Sequence, residues 1–138
     1  MKTRKTTAES PMQLTRAEEE VMQVLWDLEK GMVNQILEQF PEPRPAYNTV
    51  STIIRILEQK GFVSHKAYGR THEYFPLIEK TDYTRSYFRN FLANHFGNSY
   101  QSLASFFANN GNLSIKELEE IQQTIHAELS RQKKPKQS

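Results

Sequence analysis

The 138-residue sequence contains no cysteine, and this absence removes several kinds of protein from consideration. Without thiols the chain can form neither a disulfide framework nor a thiolate site for zinc or copper, and cysteine nucleophiles are excluded. Glycine and proline are also scarce, at 5 and 6 residues, and the apolar fraction of 37% is typical of a folded chain. At this length we expect one domain, or one small domain with an appendage.

Long apolar segments are missing as well. Residues 1–12 are polar, with no apolar stretch behind them, and no run of about 18 uninterrupted apolar residues occurs anywhere in the chain. We therefore expect neither secretion nor membrane insertion, and a cytoplasmic location.

The sequence also lacks the patterns of a catalytic or metal site. Its histidines are scattered, without the spacing of metal ligands, and no glycine-rich phosphate loop or Ser/His/Asp constellation stands out. His65 and His72 are the only pair that a hairpin could bring together, and we interpret them as two ordinary strand histidines instead of a metal site. The sequence thus predicts no enzyme activity, no metal and no cofactor.

The net charge of +2 is small, so its distribution is more informative than its total. Residues 44–72 contain Glu58 as the single acidic side chain, while acidic residues crowd the segment before them. The same stretch holds five basic side chains: Arg44, Arg55, Lys60, Lys66 and Arg70. Such an asymmetry is expected where one face of a domain meets nucleic acid.

A first helix is predicted from Thr15, because Thr15 and Glu18 have the spacing of a capping box. Gly31 is the expected left-handed stop of this helix. Apolar residues follow at steps of three and four and predict one buried stripe: Leu14, Ala17, Val21, Val24, Leu25 and Leu28. Trp26 lies off this stripe and is expected to pack on a neighbouring element.

Two more helices and a hairpin follow in the sequence. Residues 33–40 and 46–60 have helical spacing, and the second of these helices should bury Tyr47, Val50, Ile53, Ile54 and Leu57. Residues 62–68 and 71–77 are rich in β-branched and aromatic side chains and are joined at Gly69-Arg70, as in a β-hairpin. Three helices followed by a hairpin predict a mainly α chain with a winged helix-turn-helix DNA-binding domain at residues 14–80.

In a helix-turn-helix domain the start of the recognition helix enters the major groove of DNA. Here that helix offers polar side chains on its solvent side: Asn48, Thr49, Ser51, Thr52 and Arg55. Lys66 and Arg70, near the hairpin turn, can contact the sugar-phosphate backbone. These are our candidate DNA-binding residues, with an ordinary solvated surface as the alternative.

Residues 81–130 predict a separate helical region, with helices near 81–96, 99–109 and 114–130. Ser114 and Glu117 form another capping-box pattern. Three short helices cannot hide so many aromatic residues alone, so we expect a homodimerisation domain; packing against the amino-terminal domain is the alternative. Its candidate residues are Tyr83, Tyr87, Phe88, Phe91, Phe96, Leu103, Phe106 and Phe107. Basic segments at residues 1–13 and 131–138 should be a flexible arm and tail.

Four segments of the chain resemble the penicillinase repressor family, which includes the β-lactamase, methicillin-resistance and copper-responsive repressors. They are Leu14–Trp26 (LTRAEEEVMQVLW), Ala46–Val50 (AYNTV), Leu57–Val63 (LEQKGFV) and Tyr74–Pro76 (YFP). The resemblance covers about residues 14–128. It implies a homodimeric winged-helix repressor whose third helix binds a dyad operator in double-stranded DNA, with intertwined carboxy-terminal helices.

Two departures from the family pattern limit what the resemblance implies. Copper-responsive members bind metal through carboxy-terminal cysteines, which this chain lacks. Antibiotic-responsive members respond to a membrane sensor protease, and their cut follows Ser-Leu at an Asn-Phe bond, whereas here Phe106 stands in place of that Asn. Ser105, Phe106 and Phe107 are therefore a candidate cleavage region, and a sensor protease is a candidate partner. A winged-helix module that binds protein instead of DNA is the alternative function.

Overall fold

Three helices, a hairpin and three further helices follow one another along the chain. The computed structural model describes residues 13–134, so the predicted arm, apart from Gln13, and residues 135–138 of the predicted tail lie outside the described residues. The elements are α1 (Arg16–Leu28), α2 (Val33–Glu38), α3 (Tyr47–Gln59), β1 (Val63–Tyr68), β2 (Thr71–Pro76), α4 (Lys80–Phe96), α5 (Tyr100–Asn110) and α6 (Ile115–Lys133). The predicted fold class, mainly α with a winged helix-turn-helix, is confirmed.

Helix α1 begins as the sequence predicted but ends differently. The Thr15 hydroxyl accepts a hydrogen bond from the Glu18 backbone N–H at 3.1 Å, and the Glu18 carboxylate accepts one from the Thr15 N–H at 3.0 Å. The prediction that Gly31 ends the helix is wrong, because Glu29 takes the left-handed conformation with a φ of 72°. Its N–H donates to the Leu25 carbonyl at 2.7 Å and closes the last turn.

Gly31 instead joins the hairpin. Its N–H donates to the Tyr74 carbonyl at 2.9 Å, and the Tyr74 N–H donates to the Gly31 carbonyl at 2.8 Å. A Cβ at residue 31 would lie 3.3 Å from Leu28 Cδ1, so the close approach suits glycine. This bridge ties the base of the hairpin to the end of α1.

The core of the winged helix forms where α1, α2, α3 and the hairpin meet. From α1 it takes Val21, Met22 and Leu25, whereas Ala17, expected to be inward, is exposed. The remaining members of this core are Val33, Ile36, Val50, Ile54, Leu57, Phe62, Val63, Tyr74 and Tyr83. The predicted inward positions 50, 54 and 57 of α3 are thus confirmed.

One charged side chain, Glu18, is buried next to this core. Its carboxylate accepts a hydrogen bond from Lys60 Nζ at 2.7 Å. Burial alone would raise the pKa of Glu18, but the hydrogen bonds from Lys60 and Thr15 outweigh it and lower the pKa below its ordinary value. The pair therefore links the start of α1 to the end of α3.

The chain separates into two compact units, one ending at Asn90 and the other beginning at Phe91. We call them the reading unit (residues 13–90) and the helical unit (residues 91–134). The boundary lies within α4 and beyond the expected one at residue 80, because Tyr83 packs in the core of the reading unit.

The helical unit contains the end of α4 together with α5 and α6. Gly97 and Asn98 both have positive φ, of 57° and 66°, and separate α4 from α5 as predicted. The capping box of Ser114 and Glu117 is present at the start of α6. Helix α6 continues to Lys133, so the first part of the predicted basic tail is helical.

Candidate nucleic-acid interface

The exposed side of α3 carries the predicted reading residues. Asn48, Thr49, Thr52 and Arg55 are exposed, and Ser51 is half-buried. Because the opposite side of α3 is fixed in the core, these side chains point away from the domain. The predicted solvent side of α3 is therefore exposed, and its contact with DNA stays a prediction.

An open groove of about 510 Å³ lies between α3, the hairpin and the start of α2. It brings Ser51 and Arg55 of α3 together with Arg70 of the hairpin turn. The other lining residues are Met32, Val33, Asn34, Gln35, Tyr47, Thr71, His72 and Tyr74. Asn48, Thr49, Thr52 and Lys66 are not among the residues that line it. Two arginines at one groove make it attractive for a polyanion.

Tyr47 is a residue that the sequence-based interpretation misplaced. It was expected in the core, but it is 47% exposed and lines the groove. Residues 47, 51 and 55 are four apart and thus form one row along the helix. The polar character of Ser51 and Arg55 in that row was the available signal that Tyr47 faces outward.

The hairpin carries its basic residues where the sequence predicted. Tyr68 and Thr71 are paired across Gly69-Arg70, so the turn has two residues, and Gly69 supplies the positive φ of 64°. Lys66 Nζ lies 5.4 Å from the centroid of the Tyr68 ring, within the range of a cation–π contact. Lys66 and Arg70 are both exposed.

Two of the five basic residues in segment 44–72 bind other groups of the protein. Lys60 is paired with the buried Glu18. Arg44 donates from Nε to the Phe40 carbonyl at 3.1 Å and lies 3.6 Å from the Glu42 carboxylate. The charge asymmetry that we noted in the sequence is therefore supplied by Arg55, Lys66 and Arg70.

His65 and His72 meet across the hairpin as diagonal neighbours, since His65 is paired with Tyr74 and His72 with Ala67. Their rings stack with centroids 4.1 Å apart, and His65 Nδ1 lies 2.6 Å from Glu58 Oε2. Within residues 13–134, no three His, Cys, Asp or Glu side chains are grouped so that they could hold a metal ion. The stacked pair contributes a ring contact at the hairpin.

The predicted dimerisation residues fall into different environments. Tyr83 is 4% exposed within one chain and belongs to the core of the reading unit, which corrects its assignment to a surface open to a partner. Tyr87 and Phe106 are exposed, at 54% and 53%. The other five predicted residues are half-buried: Phe88, Phe91, Phe96, Leu103 and Phe107. Phe88 belongs to the reading unit, and the other four belong to the helical unit.

Within the helical unit, α5 and α6 enclose an apolar groove of about 410 Å³. Phe107 lies on one side of it, and Leu118, Ile121, Ile125 and Leu129 lie on the other. The edge-on contact of Phe96 with Phe106, at a centroid distance of 5.6 Å, packs α4 on α5. The candidate cleavage residues Ser105, Phe106 and Phe107 all lie inside α5.

No helix in the described part of the chain, residues 13–134, has the length and apolar character needed to cross a membrane.

Comparison with known proteins identifies relatives over most of the chain. The methicillin resistance regulatory protein MecI of Mammaliicoccus sciuri is 28% identical over 115 residues, which are 83% of this chain and 94% of that protein. The penicillinase repressor of Bacillus licheniformis is 28% identical over 122 residues, 88% of this chain and 95% of its own. The solution structure of the DNA-binding domain of the repressor BlaI is 30% identical and covers 51% of this chain and 87% of its own, with a TM-score of 0.45.

A family model also matches most of the sequence. The model for the penicillinase repressor matches residues 14–127, from the cap of α1 into α6. It spans both the reading unit and most of the helical unit, and the resemblance noted in the sequence covered the same range. This chain belongs to the penicillinase repressor family.

Proposed function

We propose that this bacterial transcriptional repressor binds a dyad operator as a homodimer, with α3 of each protomer in the major groove and the hairpin on the adjacent backbone. The observation that carries the proposal is the groove at which Ser51 and Arg55 of α3 meet Arg70 of the hairpin. Membership in a repressor family also argues against an enzyme.

The side chains of α3 divide by the chemistry that they can offer to DNA. Asn48 can pair with adenine through two hydrogen bonds, and Thr49 and Thr52 can contact a thymine methyl group. These three residues are exposed and lie outside the groove, so we assign base reading to them.

The groove and the hairpin carry positive charge, which favours contact with phosphates. Arg55 and Arg70 line the groove together, and Lys66 is exposed on β1, four residues before Arg70. We assign backbone contacts to these three residues and a supporting contact to Ser51. Phosphate contacts fix the register of a protein on DNA without reading its sequence.

A homodimer is proposed because the helical unit leaves large apolar side chains exposed. Ile115 is 77% exposed, Ile125 is 55% and Leu129 is 49%, all on α6. Neither α5 nor α6, both within the described residues, contains a buried residue. A second copy of the chain fits this surface because a dyad operator requires two symmetry-related reading units.

We propose that the operator is released through the helical unit, by an upstream sensor signal or by proteolysis. A sensor protease acting at Ser105–Phe107 would meet a regular helix, so cleavage there would require local unfolding of α5.

Operator DNA in a bacterium lies in the cytoplasm, and we place the protein there.

The test is selection of DNA by the intact chain from a pool of random duplexes, followed by gel shift at several salt concentrations. We expect a dyad sequence to be enriched. Asn48→Ala and Thr52→Ala should relax the preference for that sequence by about 1–3 kcal/mol for each base contact. Arg55→Ala, Lys66→Ala and Arg70→Ala should weaken all sequences alike and reduce the log-log salt slope by about one unit each.

Lys116→Ala is the matched control, because it removes an exposed positive charge from α6 instead of the proposed interface. It should leave affinity and salt slope unchanged. If no sequence is enriched, or if Lys116→Ala weakens binding as much as Arg70→Ala does, the proposed interface is wrong.

A further inference from the structure

The beginning of α4 is built into the core of the reading unit. Tyr83, in the first turn of α4, is 4% exposed. Its ring lies 5.7 Å from the Trp26 ring and meets Phe62 edge-on at 6.0 Å, measured between centroids. The first part of α4 is therefore packed on the same core that holds α1 and α3 in place.

Two hydrogen bonds connect α1 to this segment, one on either side of Lys80, where α4 begins. Trp26 Nε1 donates to the Ile78 carbonyl at 2.8 Å, and the Tyr83 hydroxyl donates to Glu19 Oε2 at 3.0 Å. Glu19 and Trp26 are seven residues apart, which is roughly 10 Å along a helix. A segment held at one point can pivot, whereas a segment held at two separated points has a fixed direction.

The hydroxyl of Tyr83 keeps its proton in this environment. Burial raises its pKa first, and the hydrogen bond and negative charge of Glu19 raise the pKa further. The bond to Glu19 therefore persists across the neutral pH range, and its acceptor is a carboxylate, which makes it stronger than a bond between neutral groups.

We infer that Tyr83 is a positioning residue for operator recognition: it fixes the direction in which α4 leaves the reading unit, and thereby the half-site spacing that the repressor accepts. The inference rests on the proposed binding of a dyad operator by a homodimer. Tyr83 is buried and does not touch DNA. It acts by determining where each reading unit is presented.

A purely structural role for Tyr83 predicts different behaviour. A residue that only stabilises the core would, when altered, lower stability and the affinity for a single half-site together. A positioning residue changes the preference among half-site spacings while the affinity for a single half-site stays the same. The two roles can therefore be separated by binding measurements on matched duplexes.

The variants are Tyr83→Phe and Glu19→Ala, which remove the same hydrogen bond from opposite ends, and Glu19→Gln, whose amide oxygen can still accept it. Glu20→Ala is the control, because Glu20 is 56% exposed and pairs with Arg16 within α1. Intact protein is titrated with the operator selected above, with the same half-sites moved apart by half a helical turn, and with one half-site alone.

We expect the preference for the natural spacing to fall about tenfold in Tyr83→Phe and in Glu19→Ala. Loss of one hydrogen bond to a charged group has an effect of about this size. Affinity for one half-site should change less than twofold. Glu19→Gln and Glu20→Ala should keep the wild-type preference. An unchanged preference in Tyr83→Phe overturns the inference, and so does an equal loss of affinity for the single half-site.

A measurement without DNA tests the physical premise separately from the proposed function. Amide hydrogen exchange in residues 84–90 should be faster in Tyr83→Phe than in wild type, while exchange in α3 stays the same. Unchanged exchange in residues 84–90 overturns the inference even if the operator is bound. Failure of the wild type to select any duplex would instead overturn the proposed function.

Discussion

The two units of this chain hide their apolar side chains to very different extents. In the reading unit, residues from three helices and the hairpin close around one core, and side chains such as Met22, Ile54 and Phe62 are 0% exposed. In the helical unit, Leu92 is the buried hydrophobic residue among those described, and α5 and α6 have none. The reading unit thus has the buried core expected of an independently stable domain, whereas the helical unit leaves much of its apolar surface exposed.

This difference in burial suits two different roles for the two units of the repressor. A reading unit that is stable alone can present α3 and the hairpin in one geometry. A helical unit that leaves its apolar surface exposed would gain stability by covering it, and the proposed homodimer would supply that cover.

Removing the helical unit should have the largest effect on DNA binding. A fragment of residues 13–90 retains the whole core of the reading unit, including Tyr83. It should stay folded but bind the operator about 10²–10⁴-fold more weakly than the intact chain, because two joined half-sites make the second binding event intramolecular. Circular dichroism measures whether the fragment is folded, and gel shift measures its affinity for the operator.

A shorter fragment ending at Lys80 is the control for the boundary. It lacks Tyr83, and loss of a buried aromatic ring costs about 3–5 kcal/mol of stability. It should therefore unfold at lower urea concentration than the fragment ending at Asn90. Equal affinity of the longer fragment and the intact chain would contradict the proposed division of labour.

Matched isoleucine substitutions compare the interiors of the two units. Ile54→Ala should cost about 2–5 kcal/mol in the unfolding of the reading unit, since Ile54 is 0% exposed. Ile125→Ala, at a site that is 55% exposed, should leave that unfolding unchanged and weaken self-association instead. Urea unfolding measures the stability of the reading unit, and sedimentation measures self-association. A wild-type chain that sediments as a monomer at micromolar concentration would rule out the homodimer.

Matched carboxylate substitutions should give a smaller effect that depends on pH. Folding lowers the pKa of Glu18, so its ionised form stabilises the fold above the pKa of the unfolded chain, about 4.3, and this stabilisation is lost as pH falls through the lower folded pKa. At pH 7 Glu18→Gln should cost about 1–3 kcal/mol, and the difference from wild type should shrink below pH 4.

Glu128→Gln is the counterpart in the helical unit. Glu128 pairs with Arg131 on the exposed surface of α6, where water screens the charges. We expect no resolvable change in urea unfolding for this variant at any pH. A loss as large as that of Glu18→Gln would show that the contrast between the units does not extend to their ion pairs.

Local signals allowed much of the fold to be predicted. The capping boxes at Thr15 and Ser114 and the two-residue turn at Gly69-Arg70 each depend on residues close together in sequence, and all three are present. The inward positions 50, 54 and 57 of α3 follow from helical periodicity. The exposed polar face of α3 opposite them followed from the same pattern.

The misplaced residues depend on contacts between distant parts of the chain. Gly31 could serve as a helix stop by its type, but its role is set by Tyr74, far along the sequence. Tyr83 shares its aromatic character with the residues after it, and only its contacts with Trp26 and Phe62 place it in the reading unit. Lys60 was counted with the DNA-facing charges because nothing local shows its pairing with Glu18.

The burial of the hairpin falls from its base to its turn. Val63 and Tyr74 are buried at the base, whereas every residue from Lys66 to His72 is exposed. The cross-strand pairs already order the backbone at the turn, so DNA binding there would mainly restrict the Lys66 and Arg70 side chains. Restricting a long basic side chain costs about 1.5–2 kcal/mol in conformational entropy. The contact of Lys66 with the Tyr68 ring reduces that loss in advance, so the two basic residues of the hairpin should differ in the entropy of binding.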